Sequence, residues 1–239
     1  MRPQTLCSFI VNRYSTREEM GTDAANHVAK TINDLLTVQA RVRIIFAAAP
    51  SQNEFLYALA SNATVDFSRI EAFHMDEYVG LSPELPQVFG NFLRAHLFDK
   101  VTFSAVHYLN GNAEDMDAEC TRYASLLEEA PIDIVCMGIG ENGHIAFNDP
   151  HEADFHDPKQ VKCVTLDEAC RMQQVHDGCF SSLVSVPSHA LTLTVPSLLR
   201  AKCHFCIVPG STKARAVRDA LLSEACPTCP ATALRLCQS

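Results

Sequence analysis

Short runs of β-branched and apolar residues, each followed by a stretch whose apolar residues recur at helical intervals, constrain this chain more than any other feature. Residues 42–49 form one such run, and Pro50 with Ser51 then opens a pattern carrying Phe55, Leu56 and Leu59. The same order returns, with strands expected at 69–75, 132–137, 190–195 and 202–208 and helices at 87–98, 115–128 and 213–222. Ahead of them Ser15-Thr16-Arg17-Glu18 has capping-box spacing, and Met20, Ala24, Val28, Ile32 and Leu35 follow helically, so a first helix starts near Thr16. This alternation predicts an α/β fold, an open, mostly parallel, doubly wound sheet with helices on both faces. No internal repeat, low-complexity tract or long linker divides residues 1–239, so a single domain is expected.

Charge and cysteine usage narrow the function classes. With 19 basic against 28 acidic residues and a net charge of -9, nothing attracts a nucleic-acid backbone, and a small anion needs a local, preorganised site. No apolar run reaches the roughly 18 residues of a membrane span. Eleven cysteines without disulfide spacing, and no cleavable leader in residues 1–11, point to a reducing compartment, with the cytoplasm as the expected location. Cys226 and Cys229 form a lone C-x-x-C around Pro227, and without a second pair or a nearby His they read as an incidental feature rather than a zinc site. His27, His96 and His107 read as surface or satisfied groups, and Cys136, Cys203 and Cys206 as small core residues.

Ligands of open α/β sheets bind beyond the carboxyl ends of the strands, which directs attention to two segments. Three of the nine glycines fall in Gly138-Ile139-Gly140-Glu141-Asn142-Gly143-His144, directly after the apolar run ending at Met137. Glycines there permit positive φ and close backbone approach, while His144 is delivered to the mouth of the sheet. A dinucleotide fingerprint would lie early and open a long helix; this segment lies mid-chain and runs into Phe147-Asn148-Asp149-Pro150. The other segment, Phe73-His74-Met75-Asp76-Glu77-Tyr78-Val79-Gly80, ends a strand in adjacent carboxylates that face opposite sides, one free to act as a base and one to make structural hydrogen bonds. Solvated, helix-capping carboxylates are the bland alternative. Residues 148–159 read as a polar surface loop or lid.

Together the motifs Met75-Asp76-Glu77-Tyr78-Val79-Gly80-Leu81, Gly138 through Pro150, and Pro209-Gly210-Ser211-Thr212-Lys213-Ala214 resemble the glucosamine-6-phosphate deaminase/isomerase family, within the wider sugar-phosphate isomerase and phosphogluconolactonase group. The resemblance implies an amino-sugar-phosphate deaminase, of hydrolase class on a C–N bond, that isomerises an amino-sugar 6-phosphate to the ketose phosphate and releases ammonia. It implies Asp76 as the base moving a proton between C2 and C1, His144 as the group assisting ring opening, and Asp149 with Asn142 as the relay behind His144. For substrate binding it implies Ala48, Ala49, Ser51, Gly140, Gly143, Arg171 and Lys213. His74 is a candidate sugar contact. Proton transfers suffice for this chemistry, so no cofactor and no metal are expected; the partner is a small sugar phosphate, and a homo-oligomer is expected by resemblance alone.

The departures are specific. The family usually has Glu at Asp149 and often Asp at Asn142. Its Gly- and Thr-rich phosphate loop is here Ala47-Ala48-Ala49-Pro50-Ser51-Gln52, although Ser51 and Glu54 keep capping-box spacing and predict a helix N-terminus facing the anion. After residues 230–235 the family commonly continues into another strand, so a lost or rebuilt C-terminal lid is expected. The rival expectations are a phosphogluconolactonase-like hydrolase, disfavoured by Ile145-Ala146-Phe147-Asn148-Asp149-Pro150, and a sugar-phosphate sensor with little turnover.

Overall fold

A computed structural model describes residues 10–236. The leader expectation falls largely on residues 1–9, outside that range. Helix α1 (Arg17–Leu36) begins one residue later than the sequence spacing suggests: Thr16 is the N-cap, its side chain accepting from the Glu19 N–H while the Glu19 carboxylate accepts from Thr16. Strand β1 (Val42–Phe46) is buried throughout, and its alternation sends Ile44 and Phe46 to one face and Ile45 to the other. Both faces are therefore covered, as a parallel sheet requires. At roughly 1.5–3 kcal/mol for each fully buried large aliphatic or aromatic side chain, this one strand is a large contributor to the core.

Helix α2 (Asn53–Ala60), β2 (Ile70–His74), β4 (Ala105–His107), α4 (Met116–Glu128), β5 (Ile134–Met137) and β8 (Cys203–Cys206) complete the central layer, whose five parallel strands run in the order β4-β2-β1-β5-β8. Cys136 on β5 is fully buried, but Cys206 on the edge strand β8 is exposed rather than core. The expected strand at 190–195 exists as β7 (His189–Leu193), yet in a different sheet. It lies between β3 (Asp76–Tyr78) and β6 (Val161–Thr165) in a small antiparallel layer. The chain leaves β2 at His74 and enters β3 at Asp76, so the single strand expected there is two. Helices α3 (Phe89–Leu93), followed by a π-helical turn Arg94–Phe98, α5 (Glu168–His176), α6 (Val195–Leu199) and α7 (Ala214–Leu222) cover the layers. Among the described residues no helix is long and apolar enough to cross a membrane.

The amino ends of the central strands carry a polar network. Buried Arg43 pairs with Glu71 at 3.1 Å and donates to the carbonyls of Leu126, Leu127 and Ala130, which end α4. Glu71 also faces His107 at 2.9 Å, and Asp133 accepts from the Arg43 N–H and Lys202. His107 is thus satisfied as expected, and so is His96, whose Nδ1 meets the Phe92 carbonyl. His74 is fully buried on β2, its Nε2 accepting the Leu109 N–H at 2.7 Å, and burial holds its pKa down at about 3. It is a neutral structural acceptor, not a sugar contact.

Candidate active site

The opposite, carboxyl ends of the strands open into one cleft. Ala47, Ala48, Ala49, Ser51 and Gln52 line it after β1, Met75 and Asp76 after β2, and Gly138, Ile139, Gly140 and His144 after β5. Lys213 closes one side from the turn before α7, and Gln173 and Gln174 another from α5. Phe89, Ala146 and Phe147 supply an apolar wall.

Asp76 is placed by the antiparallel pairing of β3 with β7, opposite Thr192. Its neighbour points away, as strand alternation requires: the Glu77 carboxylate accepts the N–H groups of Tyr78, Phe89 and Gly90 at 2.9, 3.0 and 2.9 Å, tying α3 and its Phe89 to the cleft wall. Burial raises Glu77 to about 7 against the lowering effect of those three donors. Burial, and then the charge of Glu77, push the Asp76 carboxyl well above the usual carboxylate range. A carboxylate so tuned is a stronger base when ionised, and one in a cleft is suited to abstract a carbon-bound proton.

The His144 loop is closed by its own backbone. The Gly140 N–H donates to the His144 carbonyl at 2.9 Å, and the Gly143 N–H to the Gly140 carbonyl at 3.0 Å. The imidazole lies directly over Gly140, where a Cβ would come within 2.1 Å of the ring, so no other residue fits. Gly143 has φ 85°, a left-handed conformation that glycine adopts at low cost. Ala146 takes φ 49° without that advantage, held by the Phe147 N–H to Thr192 Oγ1 at 3.1 Å and by the Asn148 amide on the carbonyls of Ile145 and Leu193. Residues 148 and 149, expected in an exposed loop, are accordingly buried; the exposed stretch begins after them.

Behind the ring, His144 Nδ1 meets Asn142 Oδ1 at 2.7 Å, and Asn142 Nδ2 donates to Asp149 Oδ1 at 3.0 Å and to Asp167 at 3.3 Å. Asp149 Oδ1 also lies 3.3 Å from Nδ1. Asn142 therefore bridges the two, and the shorter Asp149 side chain reaches the ring largely through it. Burial alone would raise the Asp149 carboxyl, but donors from His144, Asn142 and the Asp167 N–H outweigh it and hold it low. Asp149 stays ionised, and Nδ1 keeps its proton while Nε2 remains for chemistry. Burial, and then the charge of Asp149, raise the Cys170 thiol. His144, Asp149 and Cys170 lie within 4.8 Å of one another, close enough to surround a metal ion, but the imidazole Nδ1 and the Asp149 carboxylate are already engaged in the hydrogen bonds above. No third His, Cys, Asp or Glu joins Cys226 and Cys229 among the described residues.

Three expectations need correction. Ser51 caps no helix: Pro50–Gln52 is a 3-10 turn, α2 follows it without a side-chain cap, and Glu54 instead binds Arg17 through two contacts of 2.9 and 2.8 Å. Ser51 nonetheless lines the cleft, its hydroxyl accepting from Gln52 Nε2. Arg171 does not line it, because its guanidinium is drawn to the carbonyls of Leu183 and Val186 at 2.8 and 2.9 Å. Lys213 is buried at the cleft as expected, but it faces Glu141 at 3.5 Å and Asp177 at 3.9 Å. Gln52, Gln173, Gln174, Glu141 and Asp177 are the residues that sequence reasoning missed. Gln52 and Glu141 stand inside motifs singled out above without a role of their own, and nothing in the pattern singled out Gln173, Gln174 or Asp177.

A family model described as glucosamine-6-phosphate isomerases/6-phosphogluconolactonase matches residues 15–239. The chain belongs to this family. Among relatives within it, a glucosamine-6-phosphate deaminase of Bacillus cereus (strain B4264) is 38% identical over 180 residues, covering 75% of this chain and 67% of the relative. Its counterpart in Bacillus thuringiensis (strain Al Hakam) is 37% identical over the same shares. In structure, the chain is similar to a monomeric glucosamine-6-phosphate deaminase described as a missing link of the NagB superfamily, with TM-score 0.88, 31% identity and coverage of 97% and 95%. A 6-phosphogluconolactonase from Shewanella baltica OS155 shares the fold at TM-score 0.77 and 16% identity, covering 95% and 91%. The family's mostly parallel sheet with helices around it is the architecture described above.

Proposed function

We propose that the chain is an amino-sugar-phosphate deaminase acting on glucosamine 6-phosphate or a close epimer. The observation that carries this reading is one cleft lined at once by a buried carboxylate, Asp76, an oriented imidazole, His144, and a buried cation, Lys213. With Nδ1 held by Asn142 and Asp149, His144 Nε2 takes the proton of the anomeric hydroxyl and passes it to the ring oxygen as the hemiacetal opens. Ionised Asp76 then removes the C2 proton and returns it to C1. A water replaces the nitrogen at C2, and ammonia leaves. Every step is a proton transfer or an addition–elimination at carbon. The chemistry is an aldose-to-ketose isomerisation with deamination, and the name hydrolase suits the lactonase relatives better.

The phosphate binds beside Ser51 and Lys213, displacing the Glu141 carboxylate from the ammonium group. Lys213→Ala should weaken an amino-sugar 6-phosphate by roughly 1.5–3 kcal/mol, the range for a hydrogen bond to a charged group, and hardly affect the neutral amino sugar. Ammonia release from amino-sugar 6-phosphates, measured on the wild type and this variant, tests the reading. Hydrolysis of a phosphogluconolactone without ammonia release would place the chain in the other branch of its family, and tight binding without either product would make it a sensor.

A further inference from the structure

The Cys226-Pro227-Thr228-Cys229 segment is the sequence motif that the proposed chemistry leaves unused. It lies between α7 and the 3-10 helix Pro230–Leu236. The Cys229 N–H donates to the Cys226 carbonyl at 3.1 Å, closing a tight turn. Such a turn brings its end Cα atoms within about 7 Å, close to the span a disulfide bridges. Cys226 is partly exposed, and a hydrogen bond from Thr228, 2.8 Å from Sγ, lowers its thiol pKa, favouring the nucleophilic thiolate. The Cys229 thiol, raised by burial, packs on the catalytic loop: a Cβ on Gly143 would lie 2.8 Å from Sγ. The Ala231 N–H donates to the Gly143 carbonyl at 2.8 Å. Thr232 Oγ1 knits the turn to the 3-10 helix, accepting the Cys226 N–H at 3.0 Å and donating to the Cys226 and Cys229 carbonyls at 3.1 and 2.6 Å.

We infer that Cys226 and Cys229 form a reversible disulfide on meeting a small-molecule disulfide such as oxidised glutathione, and that this bond displaces the loop carrying His144 through Gly143. The consequence for turnover rests on the deaminase reading above. Cys226 thiolate attacks one sulfur of the oxidant and releases one glutathione thiolate, leaving a mixed disulfide. Cys229 then gives up its proton and attacks the Cys226 sulfur, expelling the second glutathione. Two protein thiols lose two electrons and two protons, and both pass to the oxidant as two free thiols. Turning Cys229 toward Cys226 takes its sulfur off Gly143, whose backbone conformation closes the turn beneath His144.

The 239-residue chain, incubated in oxidised or reduced glutathione, should yield a 226–229 peptide lighter by two hydrogens only in the oxidised sample. Amide exchange across residues 138–147 should rise with the bond. Ammonia release should fall by about tenfold or more, since a displacement near 1 Å from a remote change costs up to about 100-fold. A reducing dithiol should reverse all three. Cys226→Ser should keep the reduced activity and lose the response to oxidant while leaving the other thiols in place. Failure of the bond to form, a stable glutathione adduct on Cys226 without it, or a bond with unchanged exchange at 138–147 would each overturn the inference. A bond with raised exchange, in a chain releasing no ammonia in either state, would support the coupling and sink the deaminase reading instead.

Discussion

Asp76 and Glu77 show how one strand can separate chemistry from support. The sequence already placed the two carboxylates on opposite sides, because alternation along a strand needs no knowledge of tertiary contacts. What it could not supply was their environment: burial from a second sheet, and three backbone donors arriving from α3. For Asp76 to act as a base it must be ionised, and its pKa lies well above that of an ordinary carboxylate. Activity should therefore climb as pH rises through that raised pKa, and the acidic limb of kcat/KM should sit well above the pH of about 4 at which an unperturbed aspartate titrates. A pH profile with its limb near 4 would remove the tuning argument. Asp76→Asn should retain ligand binding, measured calorimetrically, and lose about 100-fold or more in turnover. Arg171 and Lys213 mark the other edge of legibility. Both are cations in suitable segments, and only three-dimensional contacts reveal that carbonyls claim the first while carboxylates accompany the second.

At the scale of elements, helical periodicity located α1, α4 and α7 well, since each buries a single stripe of side chains. The small antiparallel layer was less legible. Its strands β3 and β6 are short or half-exposed, so their patterns resemble loop, and their pairing is set by residues far apart in the chain. The contact between α1 and α2 makes a prediction with an unusual sign. A glycine inside a helix ordinarily gains roughly 1 kcal/mol when replaced by alanine. At Gly21 the added Cβ would meet the Glu54 Cβ at 2.6 Å and backbone atoms of Glu54 and Phe55 at 2.7 Å. Backbone cannot rotate aside, so Gly21→Ala should destabilise, in keeping with the roughly 1–3 kcal/mol typical of overpacking. Chemical denaturation of the two proteins measures it, and a more stable variant would mean that the helices are not so closely apposed.

Across the whole molecule the two ends of the central sheet have different duties. The amino ends hold Arg43, Glu71, Asp133 and Lys202 in a network that anchors α4, while the carboxyl ends hold Asp76, His144 and Lys213. Arg43→Leu removes one partner of a buried pair and leaves three carbonyls short of a donor, which should cost about 3–5 kcal/mol of stability. The Michaelis constant for the amino-sugar phosphate should stay unchanged in the folded fraction; a large rise would show that the two ends are coupled. The hydrogen bond from Ala231 to Gly143 has a further consequence in the order of synthesis. Chains fold from the amino terminus as they emerge, so the central strands and the glycine turn are made well before the segment that buttresses them. A ribosome pausing before residue 230 would hold a nascent chain whose sheet can form but whose His144 turn lacks its brace, and that turn would gain it only once Ala231 has been added.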